Sequence, residues 1–505
     1  MIKSFDYFLI SFFMMYNLFF FLVSICFYLL KKEDYEIKKT KYFIIILIIP
    51  DIPLFINRLK YFIHNEKLAI IPSKKFFEYI ILSNLALILF FIACGIFICG
   101  LYVNPHSEID LDIPTLFQAK SGSINLGKVV RKSKEKYNYY LPLKDLERHM
   151  FICGATGVGK SNFLQHFLIN FKRKFEIPFL IVEFKGEYQF LQKQFKDLLI
   201  MKPGENFSLN IFNPLDSNPA IHAERIYDIL ASGQFLDDNA EFSPQMEKVL
   251  VDILTNVCSM KEHRNWKGFY KYCSIYSKKF RKKIPMLSQT LISITNRIRR
   301  FSLGPLKAIF SQKHEINIES LLTQNVLIDL SSIIRLGGEK SDALFFLNMI
   351  LKYLWDKNLS QGSSNFKGAK HLTIIEDVQY FAPRELKKKS TLTSYLEDIA
   401  LLQRGTGEVL ISIATRPNVS EEILANSGVF GVFKTHMHKE TLGKLLNLEE
   451  RDYSFLSLLN EGECILRVNS IKEPFLLSVP LIKRNTLNAS EIRINNQNAL
   501  SKYLR

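Results

Sequence analysis

Apolar positions along the chain fall into three kinds of run. Near the N-terminus they are long: residues 5–30 carry one charge, Asp6, and residues 79–103 carry none and close on Asn104 and Pro105. As a helix, each is long enough to cross about 30 Å of hydrocarbon. Residues 42–56 are apolar but broken by Pro50, Asp51 and Pro53, so they span, lie at the interface, or dip in and return. Further on the runs are short and meet polar groups: 150–153 before a glycine-rich turn, 179–182 before Glu183, 326–331 around Asp329, 372–375 before Glu376 and Asp377, and 408–414 before Thr415 and Arg416. Short apolar strands of this kind predict a mostly parallel sheet, which collects the polar strand ends at one edge. The third kind is amphipathic. Phe163, Leu164, Phe167 and Leu168 form one stripe, Ile226, Ile229 and Leu230 a second, and Met246, Val249, Leu250, Ile253 and Leu254 a third, all at helical spacing.

The pattern predicts an α/β fold with a mostly parallel central sheet. Residues 1–103 are expected to be a membrane anchor with two or three transmembrane helices, 104–217 the first part of the sheet domain, 218–315 an inserted helical module, 316–480 the second part, and 481–505 a tail that is flexible or packs against a neighbour. Lysines crowd the 31–78 connection, and the positive-inside tendency would hold it in the cytoplasm. Two spans would then put the remainder outside. Three would keep it inside while leaving Lys60, Lys67, Lys74 and Lys75 on the wrong side, so the span count stays open.

Composition narrows the class. The chain has 505 residues, 48% of them hydrophobic, which excludes a disordered or disulfide-stapled protein. Its seven cysteines include no close metal-ligand pair, which argues against structural zinc. The formal charge of +17 attracts polyanions, nucleic acid or anionic lipid alike.

Residues 149–161, HMFICGATGVGKS, give the sharpest chemistry: a short strand followed by the full GxxxxGK[ST] pattern. The loop of Gly154, Ala155, Thr156, Gly157, Val158 and Gly159 would turn its N–H groups toward phosphates, and the helix beginning with Lys160, Ser161 and Asn162 would present its N-terminus to the same charge. Lys160 would reach the β and γ phosphates of ATP, and Ser161 would offer a hydroxyl to Mg²⁺. In IIEDVQYF, Glu376 would hold the metal and Asp377 would orient the attacking water, its strand end side by side with that of Cys153. The alternative for both acids is a helix cap or a solvated strand end. Glu183 and Glu187 either approach the same phosphate edge or mark a plain strand exit. Thr415 is the sensor candidate. Arg404 and Arg416 are candidates for a charge donated to a neighbouring subunit's nucleotide, with a surface or DNA contact as the alternative.

Residues from about 126 to 480 resemble the HerA/FtsK superfamily of hexameric ATPases, in particular the HerA-like domain and the TraD-like coupling ATPases of type IV secretion and conjugation. HMFICGATGVGKSN is similar to the family phosphate loop, EFKGEY to its acidic second-strand motif, IIEDVQYFAP to its magnesium strand, LLQRGTG to the segment with an intersubunit arginine, and ISIATRP to its sensor strand. The resemblance implies a RecA-like fold, a hexameric ring around DNA, ATP and Mg²⁺ as ligands, Glu376 on the magnesium side, Asp377 as water activator and Arg404 acting in trans. Two positions depart from it: Thr415 stands where glutamine is more usual, and Asp377 where glutamate is. The N-terminal spans resemble those of membrane-anchored coupling ATPases, which implies a cytoplasmic-membrane protein with its ATPase domain in the cytoplasm and secretion or conjugation channel proteins as partners.

Residues 261–300 hold 12 Lys and Arg against Glu262 alone. Trp266, Phe269, Tyr270, Tyr272, Tyr276 and Phe280 interleave with Lys267, Lys271, Lys278, Lys279, Arg281, Lys282 and Lys283, a composition suited to backbone phosphates with base stacking, or else to a solvated helix with an aromatic core. Three functions follow: a membrane-anchored, ATP-driven DNA translocase; a secretion ATPase that does not grip DNA; and a nucleotide-dependent membrane scaffold.

Overall fold

The computed structural model describes residues 17–26, 88–99, 109–215, 217–231, 242–311, 322–361, 368–384, 391–401, 403–483 and 486–503. They fall into two units, 1–108 and 109–505. In the first, 17–26 and 88–99 are helical, and Phe20, Ala93 and Phe97 form a small buried cluster in which Phe20 and Phe90 lie 6.0 Å apart. Among the described residues no helix is long and apolar enough to cross a membrane. Most of the runs 5–30 and 79–103, and all of 42–56, lie outside those residues.

The second unit is built on one 11-stranded sheet. Its strands are β1 (Ile124–Arg131), β2 (Lys134–Leu141), β3 (Met150–Cys153), β4 (Phe179–Glu183), β5 (Leu199–Met201), β6 (Val326–Asp329), β7 (His371–Ile375), β8 (Glu408–Ala414), β9 (Val429–Phe433), β10 (Glu463–Val468) and β11 (Phe475–Ser478). Across the sheet they run β2-β1-β11-β10-β9-β3-β8-β7-β4-β6-β5. From β9 to β5 all neighbours are parallel, and β10, β11, β1 and β2 add an antiparallel wing. The predicted mostly parallel α/β sheet is therefore present. Its central strands are buried along their whole length because helices cover both faces, which is why they read as unbroken apolar runs.

Successive residues of β3 serve opposite cores. Met150 and Ile152 pack with α1 (Lys160–Lys172), through Phe163, Leu164, Phe167 and Leu168. Phe151 and Cys153 join the other core, with the helices between β5 and β6: α2 (Pro219–Ala231), α3 (Pro244–Ser259), α4 (Trp266–Phe280) and α5 (Leu287–Ser302). Ser243 caps α3 by accepting from Met246 N–H, and Asn265 caps α4 by accepting from Gly268 N–H at 2.8 Å. The apolar stripes at Ile226, Ile229 and Leu230 and at Val249, Leu250, Ile253 and Leu254 are buried there. After β6 come α6 (Lys340–Gln361) and α7 (Thr391–Leu401). Arg300, on α5, donates to buried Asp342 on α6 at 2.7 Å, so this arginine serves as an internal strut.

The tail, expected to be flexible or to pack against a neighbour, instead forms α8 (Ala489–Tyr503), which packs against the edge strand of its own sheet. Ile200 N–H donates to Asn496 Oδ1 at 3.0 Å, and Asn496 Nδ2 donates to Ile200 O at 2.7 Å. One side-chain amide thus imitates the next strand and closes an edge that would otherwise invite pairing. At the far edge, β2 carries Lys134, Glu135 and Lys136 in exposed positions, which discourages pairing by charge. Asn496→Ala should leave the Ile200 N–H unpaired, while Ile200 O keeps its bond from Asn206 Nδ2 at 2.9 Å, lowering local stability by about 1–2 kcal/mol. Hydrogen exchange at the Ile200 amide should then speed up by about tenfold or more.

Candidate nucleotide site

Because β3, β4, β6, β7 and β8 are parallel, their C-terminal ends meet one edge of the sheet. Cys153 pairs with Ala414, Val182 with Ile375, and Glu183 with Asp329. The strand ends at Cys153 and Glu376 are not neighbours, as the sequence suggested, because β8 lies between them and places Thr415 in the gap. One intervening strand leaves room for a phosphate chain between the loop and the acids.

The glycine loop is shaped by close contacts. A Cβ on Gly154 would sit 2.6 Å from Phe433 Cβ, and Gly159, at φ +110°, meets Gly462, where a Cβ would lie 3.2 Å from the Gly462 Cα. Gly462 N–H also donates to Val158 O at 3.0 Å, and Ala155 N–H to Lys434 O at 3.0 Å, bracing the loop from behind. Thr156 and Gly157 are exposed at its tip. The Lys160 ammonium folds over the loop and donates to Gly154 O at 2.8 Å and Ala155 O at 2.7 Å. Its pKa is lowered, chiefly by burial, with nearby Lys185 adding to the effect.

Ser161 Oγ lies 3.4 Å from Glu376 Oε1 and donates to it, so the loop helix and the end of β7 meet at the atoms expected to share a metal. Asn162, expected in the phosphate cradle, instead commits its side chain elsewhere. It donates to Pro480 O at 3.0 Å and accepts from Ile482 N–H at 2.9 Å, which straps the crossing chain to α1 and leaves only its backbone to the loop.

Glu376 is 3% exposed. Burial raises its pKa, while the Tyr188 hydroxyl donating to Oε1 and the charge of Lys185 pull the other way. Its second oxygen, Oε2, is buried without a hydrogen-bond partner among the described residues. Glu183 is fully buried beside it and accepts from Glu187 N–H at 2.8 Å and Tyr188 N–H at 3.3 Å. Burial and then the Glu376 charge push Glu183 well above the usual carboxyl range. It is therefore neither the plain strand exit nor the direct phosphate contact that the sequence left open: it clasps the turn after β4.

Asp377 stands in the left-handed region at φ +52°, which a short acid tolerates, and turns its carboxylate toward Lys185, whose Nζ is 3.3 Å from Oδ2. Gln379 Nε2 donates to Asp377 Oδ1 at 3.2 Å and to Thr415 Oγ1 at 3.0 Å, and Thr415 N–H donates to Gln379 Oε1 at 3.3 Å. A glutamine from the acid loop thus lies hydrogen-bonded to Thr415, the sensor candidate at the end of β8. Asp329 accepts from Gln189 Nε2 at 3.1 Å and from Ser331 N–H at 3.0 Å, organising the neighbouring strand end. Arg416 is exposed. Arg404 falls in the short turn Gln403–Thr406, and its side chain lies outside the described residues.

The residues present fit a magnesium-bound nucleotide: a cradle that side chains would fill, a lysine resting on carbonyls it can exchange for phosphate oxygens, a hydroxyl, and an orphaned carboxylate oxygen beside it. Sequence reasoning missed Tyr188, Lys185 and Gln379. The first two lie in EFKGEY, where the acids alone drew attention.

The aromatic residues of α4 are mostly core. Trp266, Phe269 and Tyr276 are buried, Tyr276 O–H donates to Asp252 at 2.7 Å, and Phe280 packs 4.5 Å from Tyr276, so base stacking is not open to the buried three. Lys267, Lys271, Lys278, Lys279, Arg281, Lys282 and Lys283 are exposed. The basic face therefore keeps only its half-buried aromatic residues, Tyr270, Tyr272 and Phe280, with Lys279 Nζ lying 5.3 Å from the Phe280 ring centre.

Residues 124–354 match the family described as "Helicase HerA, central domain". The match spans just under half of the chain and ends before Glu376. Among curated proteins there is no match in sequence. Among solved structures, VirB4 of Thermoanaerobacter pseudethanolicus is similar, with a TM-score of 0.54 and 14% identity over 74% of this chain and 99% of that one. The plasmid coupling protein TrwB in complex with ADP and Mg²⁺ is also similar, with a TM-score of 0.54 and 13% identity over 76% of this chain and 96% of that one. At such identities the likeness is one of fold.

Tyr188→Phe should leave Glu376 with only the longer bond from Ser161 and raise its pKa further. Magnesium needs the ionised carboxylate, so Mg²⁺-dependent nucleotide affinity holds above the Glu376 pKa and is lost as pH falls through it. In the variant that loss should begin at higher pH, with affinity at neutral pH weaker by about tenfold. Nucleotide titrations across pH, with and without Mg²⁺, check this: the magnesium-free affinity should not move.

Proposed function

We infer that this chain, which carries a HerA-type central domain and belongs to the HerA/FtsK superfamily of ATPases, is a membrane-anchored motor that uses ATP to move DNA through a ring of its own copies. The observation that carries the reading is the meeting of Ser161 and Glu376 beside the lysine-covered glycine loop, with one carboxylate oxygen unpartnered among the described residues. The complex of TrwB with ADP and Mg²⁺ supports the same ligands here.

Loop amides and Lys160 bind the β and γ phosphates. Ser161 and Glu376 would hold Mg²⁺, which would neutralise phosphate charge. Asp377 orients a water in line with the γ phosphorus. As the water oxygen bonds to phosphorus, the bond to the β–γ bridging oxygen breaks, Asp377 takes the water's proton, and ADP and inorganic phosphate result. Thr415 and Gln379 connect this position to the end of β8, through which loss of the γ phosphate reaches neighbouring elements. In the hexameric ring that the resemblance implies, Arg404 is the residue proposed to act on the neighbouring nucleotide.

The exposed cluster of Lys278, Lys279, Arg281, Lys282 and Lys283 supports contact with DNA phosphates, without base reading. The apolar runs 5–30 and 79–103 support anchoring in the cytoplasmic membrane with the ATPase domain in the cytoplasm, and a secretion or conjugation channel as the assembly served.

Two measurements test this on the full chain. ATP turnover should rise with DNA and should vanish in Lys160→Ala; an unchanged rate in that variant overturns the site, and turnover indifferent to single- and double-stranded DNA favours export of protein instead. Replacing the five basic residues with alanine should weaken binding to unrelated DNA sequences alike, flattening the plot of log affinity against log salt by about 0.9 for each phosphate no longer neutralised.

A further inference from the structure

We propose that Lys185 is a second lysine of the nucleotide site, one that contacts the terminal phosphate and, without it, keeps Asp377 from acting as a base. The proposal rests on the nucleotide reading above and adds to it a residue that reading leaves idle.

The turn after β4 is built to present this side chain. The buried Glu183 carboxyl accepts from the N–H groups of Glu187 and Tyr188, drawing the chain back on itself, and Gly186 makes the reversal at φ +70°. Lys185 sits at the tip of the closed turn. Since β4 and β7 are parallel neighbours, its ammonium lands beside the acid that follows β7, 3.3 Å from Asp377 Oδ2.

Both oxygens of Asp377 are then engaged, Oδ2 by Lys185 and Oδ1 by Gln379 Nε2. The ammonium on Oδ2 occupies one of the positions from which the carboxylate could take a proton from water, and it must leave for a water to use that position. Gln379 is fixed through two further bonds to Thr415. Among the described residues Lys185 has no such tether: its side chain is 43% exposed, against 13% for Asp377, so it is the partner able to leave.

Its destination is set by charge. Lys160 and Lys185 border one space: each feels Asp377 and Glu376, and Lys185 weighs on the pKa of Lys160. Burial alone would lower the pKa of Lys185, but Asp377 and Glu376 outweigh it and raise it, so the group arrives charged. A γ phosphate entering that space offers the ammonium more than one anionic oxygen, where Asp377 offers a single one. Transfer of Lys185 to the phosphate releases Oδ2 toward the attacking water. ADP lacks that phosphate and leaves the Lys185–Asp377 pair closed.

The test compares binding of ADP and of the non-hydrolysable β,γ-imido analogue of ATP, both with Mg²⁺, to the full chain as wild type, Lys185→Ala, Lys185→Arg and Lys160→Ala. Lys185→Ala should lose about tenfold or more in affinity for the triphosphate analogue while ADP affinity stays within about twofold, which also shows the variant to be folded. Its ATP turnover should fall, and Lys185→Arg should recover much of the analogue affinity. Lys160→Ala should lose both ligands. Equal weakening of both ligands by Lys185→Ala, no change in either, or faster turnover overturns the Lys185 assignment alone. Wild-type protein that binds neither ligand overturns the nucleotide reading, and this proposal with it.

Discussion

A carboxyl group held 3% exposed with one oxygen lacking any donor among the described residues is a destabilising feature, and the centre of this fold is arranged around it. Glu376 follows a strand buried on both faces, so it cannot turn to bulk water. Tyr188, itself buried, supplies one hydrogen bond, and Ser161 a longer second. What remains is an oxygen suited to a cation brought in from outside. The neighbouring acid Glu183 would make the desolvation worse if it were charged, and burial together with Glu376 pushes it toward its neutral form. Two carboxyl groups of the same chemistry thus take different parts, one clasping backbone amides and the other left for a metal.

Around that group the parallel sheet acts as a collecting device. Five strands deliver their ends to one edge, and the order β3-β8-β7-β4 decides which ends face each other. With β8 between loop and acid, Thr415 stands in the middle of the site and Gln379 spans from Asp377 to it. A change at the phosphate therefore has a short covalent and hydrogen-bonded route into β8. The buried helices between β5 and β6 share a core with this sheet, and Arg300 on α5 holds Asp342 on α6, so the basic face at the end of α4 rests on a stiff support.

The glycine loop, the apolar strands and the paired acids were legible because each has a local cause: backbone freedom, burial on both faces, and charge at a strand end. Strand order was not, since nothing in 150–153 or 371–377 says which strand will come between them. Trp266, Phe269, Cys273 and Tyr276 recur at helical spacing, and this periodicity outweighed the attraction of aromatic residues beside lysines: they became core, while the lysines stayed outside. Asn162 sits in the motif, yet its side chain answers to residues 480–482, more than 300 positions away. The amphipathic helix after residue 488 ties β5 down through Asn496, a partnership between distant polar groups that no local pattern announces.

On the proposed reading, Ser161 and Glu376 together complete a metal site only when a nucleotide fills the glycine loop. Electron paramagnetic resonance of Mn²⁺ in place of Mg²⁺ reads this directly. Mn²⁺ should bind in the presence of ATP with phosphorus couplings to the nucleotide, bind little without it, and lose that signal in Glu376→Gln. Mn²⁺ bound equally well without nucleotide, or an ATP-dependent signal unchanged in Glu376→Gln, would contradict it.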